Sequence, residues 1–338
     1  MQRAPDANMT WAEWFHGRRA LITGGLGFIG SNLARRLVAL GAQVRIVDAA
    51  LPGSGANPHN LDGLEHQVEA WRADLRNGEV VTAMLIGQDV LFNLAAQVGH
   101  LASMEDPVTD LAINASCQLA IVEACRRVAP EIRVVHTATR QFYGRTSGEP
   151  TDETHPIAPV DYNGVSKRAG ELYHLVAHQV YGLRATSLRL TNTYGPRMRC
   201  RDGRQTFLGE WVRCLLKDEP LLVYGDGMQV RDLNHVDDVV TALLATAASS
   251  DTIGQAYNLG GREPIRLVDL AGLMIGLAGR GRIAHVPFPG ARRRIEIGDY
   301  LGDYTRIATT IGWQPTIDLR AGLRGTLDFF ETQREHYL

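Results

Sequence analysis

Thr23-Gly-Gly-Leu-Gly-Phe-Ile-Gly30 follows a short apolar run, Ala20-Leu-Ile-Thr23, and opens a helical pattern from Ile29 to Leu40. It carries G-x-x-G-x-x-G on Gly24, Gly27 and Gly30, and G-x-G-x-x-G on Gly25, Gly27 and Gly30. Glycines here let the chain turn sharply, let the backbone approach a pyrophosphate and let the helix pack closely on the sheet. The helix N-terminus then presents unpaired N–H groups to the phosphates. A Gly-rich string alone would also make an ordinary tight turn. Here a strand, a loop, a helix and an acid come in order, because Asp48 closes the second strand 18 residues after Gly30. A carboxylate there accepts hydrogen bonds from the adenosine ribose and repels a 2′-phosphate, which favours NAD over NADP. Gly24, Gly27, Phe28, Ile29, Gly30 and Asp48 are the first candidate cofactor-binding residues.

Outward from this loop, short strand-like runs alternate with helical stretches as far as Asn192. The strand candidates are Ala20–Thr23, Val44–Asp48, Val90–Ala95, Val134–Thr137 and Ala185–Leu190. Between them lie the helix candidates Ile29–Leu40, Asp106–Val128 and Asn163–Tyr181. That alternation predicts α/β architecture, a doubly wound Rossmann parallel sheet covered on both faces. After Tyr194-Gly-Pro-Arg197 the texture changes to an Arg-rich loop, a helix at Phe207–Leu216, the run Leu221–Gly227 and a last amphipathic helix near Leu319–Glu335. The expected division is a Rossmann domain over 17–192 plus about 236–248, and a smaller α/β substrate lobe over 193–235 and 249–338.

Composition agrees with a globular enzyme: 338 residues, 45% hydrophobic and 21% charged, supply the core for about two domains. No apolar run approaches the roughly 18–20 residues of a membrane span, and Met1–Phe15 lacks the apolar stretch of a signal peptide. Lys and Arg total 35 against 37 Asp and Glu, a net charge of -2 that leaves no global field for nucleic acid or anionic membrane. Only two of those basic residues are lysines, Lys167 and Lys217. Cys117, Cys125, Cys200 and Cys214 show no C-x-x-C pair and no His at metal spacing, so reduced thiols in a cytoplasmic protein and no metal site are expected.

With these residues in order, the chain from Thr23 to about Pro315 resembles the extended short-chain dehydrogenase/reductase family, in particular its NAD-dependent nucleotide-sugar epimerases and dehydratases. The resemblance implies that Asp74-Leu75 contacts adenine and that Asn93-Leu-Ala-Ala96 lines the cofactor, Ala95 and Ala96 included, with Asn93 where His is commoner. Asn114 falls where the family has a helix Asn supporting the active site. Thr139 matches the catalytic hydroxyl four residues before Tyr143-Gly144. The 4,6-dehydratases that resemble this chain carry Asp-Glu next; here stand Arg140 and Gln141. Gln cannot abstract a proton and Arg stays protonated, which argues against a dehydratase of the usual kind.

The family's catalytic Tyr-x-x-x-Lys is out of register by one. The sequence reads Asp161-Tyr-Asn-Gly-Val-Ser-Lys167, so Asn163 stands four residues before Lys167, where the family has its general base. Tyr162 is five residues back, rotated by about 140° on a regular helix. Three readings compete: Tyr162 reaches the sugar from an irregular helix start; Asn163 occupies the position while His100 or Tyr143 handles the proton; or the protein only binds its ligand. Lys167 and Glu171 at i, i+4 fit an intact cofactor side, and equally fit an ordinary surface pair.

In the second lobe, Leu188-Arg-Leu-Thr-Asn192 and Tyr194-Gly-Pro-Arg197 resemble the family's substrate strand, and Gly225–Asp232 with His235–Asp238 its nucleotide-diphosphate closure. The resemblance implies Gln97, Asn192, Arg197, Arg231 and Arg294 as substrate-binding residues, with Arg231 on phosphate. The crowd of Arg197, Arg199, Arg201 and Arg204 fits a uronate carboxylate, a solvated loop or a dimer contact. Tyr257-Asn258, Asp303 and Gly312-Trp313 read as structural. The expected activity is NAD-dependent epimerisation of a nucleotide-diphosphate sugar, most simply at C4. Dehydration, decarboxylation, reduction or silent binding are the alternatives. The helices Asp106–Val128 and Asn163–Tyr181 resemble those of the family's dimer interface, implying a homodimer.

Overall fold

Seven runs too short to bury themselves as helices pair into one parallel sheet: β1 Arg19–Thr23, β2 Gln43–Asp48, β3 Val68–Arg72, β4 Val90–Asn93, β5 Arg133–Thr139, β6 Arg184–Leu190 and β7 Ala256–Asn258. The order is β7-β6-β5-β4-β1-β2-β3. The computed structural model describes residues 10–146, 150–201 and 206–338. All pairs in the sheet are parallel, with Ile22 of β1 opposite Ile46 of β2 on one side and Phe92 of β4 on the other. Strand order reverses between β1 and β4, where an open α/β sheet forms its ligand crevice.

Successive side chains of a strand face opposite ways, so each face has its own core. Ile22, Ile46 and Phe92 pack with Phe15, Leu33 and Val239 on one face; Leu21, Val47 and Leu91 pack with Met84, Ile121 and Ala177 on the other. The covering helices are α1 Phe28–Ala39, α2 Gly78–Leu85, α3 Cys117–Val128 and α4 Tyr162–Tyr181, with α6 Val236–Ala248 returning to the first face. The smaller lobe gathers α5 Phe207–Leu216, α7 Leu267–Ala278 and α8 Leu319–Thr332 around Trp211, Leu215, Met274 and Phe330.

Four sequence expectations need correction. β3 is absent from the expected strands because its outward residues Glu69, Ala70 and Arg72 are exposed at the sheet edge, which removes the apolar signal. β7 belongs to the sheet, and Ile307 and Trp313 pack into the sheet's core, so 249–338 is not one continuous substrate lobe. The helix expected over Asp106–Val128 is Pro107–Leu111, a π-helical turn Ala112–Ser116, then α3. Taken together, Pro107–Val128 is also long and apolar enough to cross a membrane, contrary to the reading of the sequence. Its Ala115, Cys117, Ile121 and Cys125 are nevertheless buried in the core of this fold.

The exposed faces of these helices carry Val108, Leu119, Val165, Leu172, Val176 and Val180. The opposite face of α4 buries Asn163, Lys167 and Glu171, three residues at i, i+4, i+8. Glu171 is fully buried and chelated by Arg189, with Nε on Oε2 and Nη2 on Oε1, both at 2.9 Å; Ser187 Oγ and Arg168 complete its shell. Removing one member leaves a buried guanidinium unpaired. Glu171→Ala is therefore expected to destabilise the fold by about 3–5 kcal/mol. The exposed Glu65→Ala should be neutral, and thermal denaturation distinguishes the two.

Candidate active site

A cavity of about 360 Å³ opens at the carboxyl ends of β1, β2, β4, β5 and β6. All the expected cofactor residues line it: Gly24, Gly27, Phe28, Ile29, Gly30, Asp48, Asp74, Leu75, Ala95, Ala96 and Lys167. A larger depression of about 460 Å³ lies at the opposite strand ends, among Arg19, Gln43 and Gln88, away from the switch point. The glycine loop leaves no room for side chains. Gly24 has φ +73° and a Cβ there would lie 3.1 Å from the Ala95 backbone; a Cβ on Gly30 would run into the Gly24 carbonyl. Helix α1 starts from Gly27, which offers no side-chain cap. A cradle of bare backbone facing a helix N-terminus fits a pyrophosphate. Asp48 accepts from Leu26 N at 3.1 Å and Ala50 N at 2.9 Å, and burial pushes its carboxyl above the usual range. Asp74 is chelated by Arg76, whose hydrogen bonds hold its carboxyl below that range.

At the other end of the cavity stand Thr139, Asn163, Lys167 and Asn192. Thr139 ends β5, and its hydroxyl oxygen accepts from Gln141 N at 3.2 Å. Lys167 Nζ donates to the Thr137 carbonyl at 3.4 Å; burial draws its pKa down to about 8 against the opposing pull of Asp110. It does not pair with Glu171, which Arg189 and Arg168 hold. So the i, i+4 pair is neither a surface feature nor an ion pair.

The proton-handling candidates separate cleanly. Helix α4 starts regularly, with Asp161 as N-cap accepting from Gly164 N at 2.7 Å. Tyr162 is consequently on the outer face, 50% exposed, and does not line the cavity, against the expectation that an irregular start would bring it in. Tyr143 is buried behind the site, its hydroxyl donating to Asn258 Oδ1 at 2.7 Å. Asn163 does line the cavity, but its Nδ2 donates to the Gln97 carbonyl and to Asp110 Oδ1, both at 2.9 Å. Asn114, within the π-helical turn, donates to the same two acceptors. An amide so held is a structural tie and has no basic nitrogen.

His100 was one name among the alternatives in the sequence; in the fold it lines the cavity with Nδ1 3.0 Å from Asp161 Oδ2. Gln141 Nε2 donates to the same carboxylate oxygen at 2.9 Å. Burial opposes the charge on Asp161, yet His100, the Gly164 N–H and Gln141 together hold its carboxyl below the ordinary range. Arg140 also lines the cavity: Nη2 donates to Asn192 Oδ1 at 2.8 Å, and Nη1 is buried with no hydrogen-bond partner among the described residues. Burial lowers its pKa to about 10, so it remains a cation.

The expected substrate residues divide. Asn192 is in the cavity; Gln97, Arg197, Arg231 and Arg294 are not among its lining. Gln97 works through its backbone, bonded at both N and O to Asn114. Arg231 is buried against Glu296 at 2.6 Å and the Gly298 carbonyl, so its guanidinium is already satisfied. Arg197 bonds Asn32 Oδ1 and covers the Phe329 ring. Arg294 is exposed in a short helix, Gly290–Arg294. Of the Arg-rich loop Arg199 reaches the cavity, while Arg204 lies outside the described residues. Arg140 and Gln141 were missed as site residues, and His100 stood only as an alternative beside Tyr143, because their place depends on long-range contacts with α4 and β8, the strand Asn192–Tyr194 that pairs with Leu233–His235.

Comparison with known proteins agrees with this geometry. Residues 20–260 match the model of the NAD dependent epimerase/dehydratase family. The chain is 30% identical over 321 residues to a UDP-glucose 4-epimerase of Mycolicibacterium smegmatis, covering 94% of this chain and 100% of that one. It is also 30% identical over 325 residues to a dTDP-glucose 4,6-dehydratase of Streptomyces griseus, covering 93% and 94%. Among solved structures, UDP-glucuronic acid 4-epimerase from Bacillus cereus, in complex with UDP-glucuronic acid and NAD, superposes with a TM-score of 0.83 at 25% identity, covering 93% of this chain and 99% of that one. The chain belongs to the NAD-dependent epimerase/dehydratase family, and NAD is its cofactor.

Lys167 generates a test of the cofactor end. Its folded pKa, about 8, lies below the ordinary 10.5, so the ionised form is penalised in the fold. That penalty, on the order of 3 kcal/mol, is full below pH 8 and is relieved as pH rises toward the unfolded value. Lys167→Met is expected to melt a few degrees higher than the native chain at pH 7 without NAD. The gap should close between about pH 8 and 10.5, and NAD affinity should fall.

Proposed function

We propose that this member of the NAD-dependent epimerase/dehydratase family is a nucleotide-sugar epimerase, most simply inverting C4 of a nucleotide-diphosphate hexose or uronate through a transient keto sugar. The observation that carries the reading is one cavity holding the glycine cradle, Thr139 and Lys167, with Arg140 and Gln141 where a dehydratase of the usual kind has its acid and base. NAD, held by the glycine cradle, would supply a reversible hydride acceptor for the sugar. Asp48 holds the adenosine ribose, Lys167 the nicotinamide ribose, and the Thr139 hydroxyl the sugar oxygen being oxidised. Because that cofactor is regenerated within one cycle, turnover needs no added reductant.

Arg140 narrows the sugar. Its buried Nη1 lies one residue from Thr139, and a carboxylate is the group such a guanidinium N–H holds best. A uronate is thus favoured over a neutral hexose. Incubation with UDP-, GDP-, CDP- and dTDP-sugars, neutral and uronate, should yield an isomer with no loss of water or carbon dioxide. A dehydrated, decarboxylated or reduced product would replace epimerisation, and binding without any turnover would sink the enzyme reading. Arg140→Gln is expected to lower kcat/KM for a uronate roughly 10–100-fold and for a neutral hexose much less.

The apolar stripe on the outer faces of Pro107–Val128 and α4 supports a homodimer, since those valines and leucines lie next to one another on packed helices. Val176→Arg is expected to shift the protein from dimer to monomer in analytical ultracentrifugation.

A further inference from the structure

We propose that His100, backed by Asp161, takes and returns the sugar hydroxyl proton in place of the family's helix tyrosine; the proposal rests on the nucleotide-sugar reading above. Every other candidate at this end of the cavity is committed elsewhere. Asn163 is tied by its amide, Tyr162 faces outward and Tyr143 is sealed behind the wall. Lys167 donates to the Thr137 carbonyl, two residues deeper along β5 than Thr139. Arg140 stays protonated, and Asp48 and Asp74 belong to the adenosine end.

His100 meets the geometric needs of a base. Its ring lines the cavity and is 39% exposed, while the Asp161 side chain behind it is wholly buried. Nδ1 sits 3.0 Å from Asp161 Oδ2, an ion-pair approach without hydrogen-bond alignment, so the carboxylate favours a proton on Nδ1 and leaves Nε2 as acceptor. A buried carboxylate orienting an imidazole is the arrangement that hydrolases use for the same purpose. The pair is also built into the site. Asp161 caps α4, which carries Lys167, and Gln141, two residues beyond Thr139, bonds its carboxylate. Asp161 is therefore bonded to both elements that place the reacting sugar and the cofactor, with His100 in charge contact beside it.

In the forward step His100 Nε2 would take the hydroxyl proton as the C–O bond becomes a carbonyl, the C–H hydrogen and its electron pair going to the hydride acceptor that bound NAD would supply. Reversal on the other face returns both, so no net oxidant is required. Asp161 acts as a positioning residue and is not itself protonated.

The test uses the full chain with NAD and the sugar it converts. His100→Ala is expected to lower kcat by about 10²–10⁴-fold with little change in KM, and added imidazole should restore part of the rate. Asp161→Asn keeps the helix cap, since Asn caps as well as Asp, yet should lower kcat at least tenfold. Independently of turnover, ¹⁵N-histidine NMR should show a hydrogen-bonded Nδ1–H on His100 that is lost in Asp161→Asn. Tyr162→Phe should keep the native rate. An unchanged kcat in His100→Ala, a loss confined to KM, absence of rescue, or a His100-sized loss in Tyr162→Phe each overturns the proposal while epimerisation stands. No turnover by the native chain on any sugar removes both.

Discussion

The rotation of one helix decides what this cavity can do, and a buried ion pair sets that rotation. Glu171 is gripped at two points by Arg189 of β6, so α4 cannot turn about its axis without stranding a charge in the core. With Glu171 inward, residues at four-residue intervals face the same way, and Lys167 and Asn163 are committed to the cavity. Tyr162 is committed to the surface by the same geometry. A helix free to rotate by 140° could have recovered the tyrosine; this one is locked at one end by Glu171 and at the other by the Asp161 cap.

The lysine arithmetic has a physical reading in that light. A chain written almost entirely in arginine keeps Lys167 at a buried spot where its only hydrogen bond among the described residues is to the Thr137 carbonyl and Asp110 offers just a distant charge, so a guanidinium's five donors would be hard to satisfy. A compact ammonium needs fewer partners, and its depressed pKa shows what burial already costs. Such a cost persists in a fold only where a ligand offsets it, which is consistent with a ribose hydroxyl arriving there.

The cofactor half was legible from sequence because its chemistry is local. Glycines, a strand end and an acid at fixed spacing come from one βαβ unit, and all eleven expected residues line one cavity. The substrate half was not, because its residues arrive from distant segments. Arg231 looked like a phosphate ligand until Glu296, 65 residues on, was found to occupy it. His100 stood level with Tyr143 as a proton handler until Asp161, from another element, was found beside it. The edge strand β3 and the late strand β7 escaped for a related reason: three exposed residues or three residues in all carry no periodicity.

Replacing tyrosine by asparagine at the head of α4 also changes what the neighbouring residues are for. The Asn163 amide joins Asn114, Gln97 and Asp110 in a network closed except at Asp110 Oδ2. The π turn packs on Gly170, where a Cβ would lie 2.7 Å from the Asn114 carbonyl. The substitution at 163 is thus embedded in a set of mutually fitted residues. With the amide so tied, the titratable side chain left at the head of α4 is His100, held against the Asp161 cap.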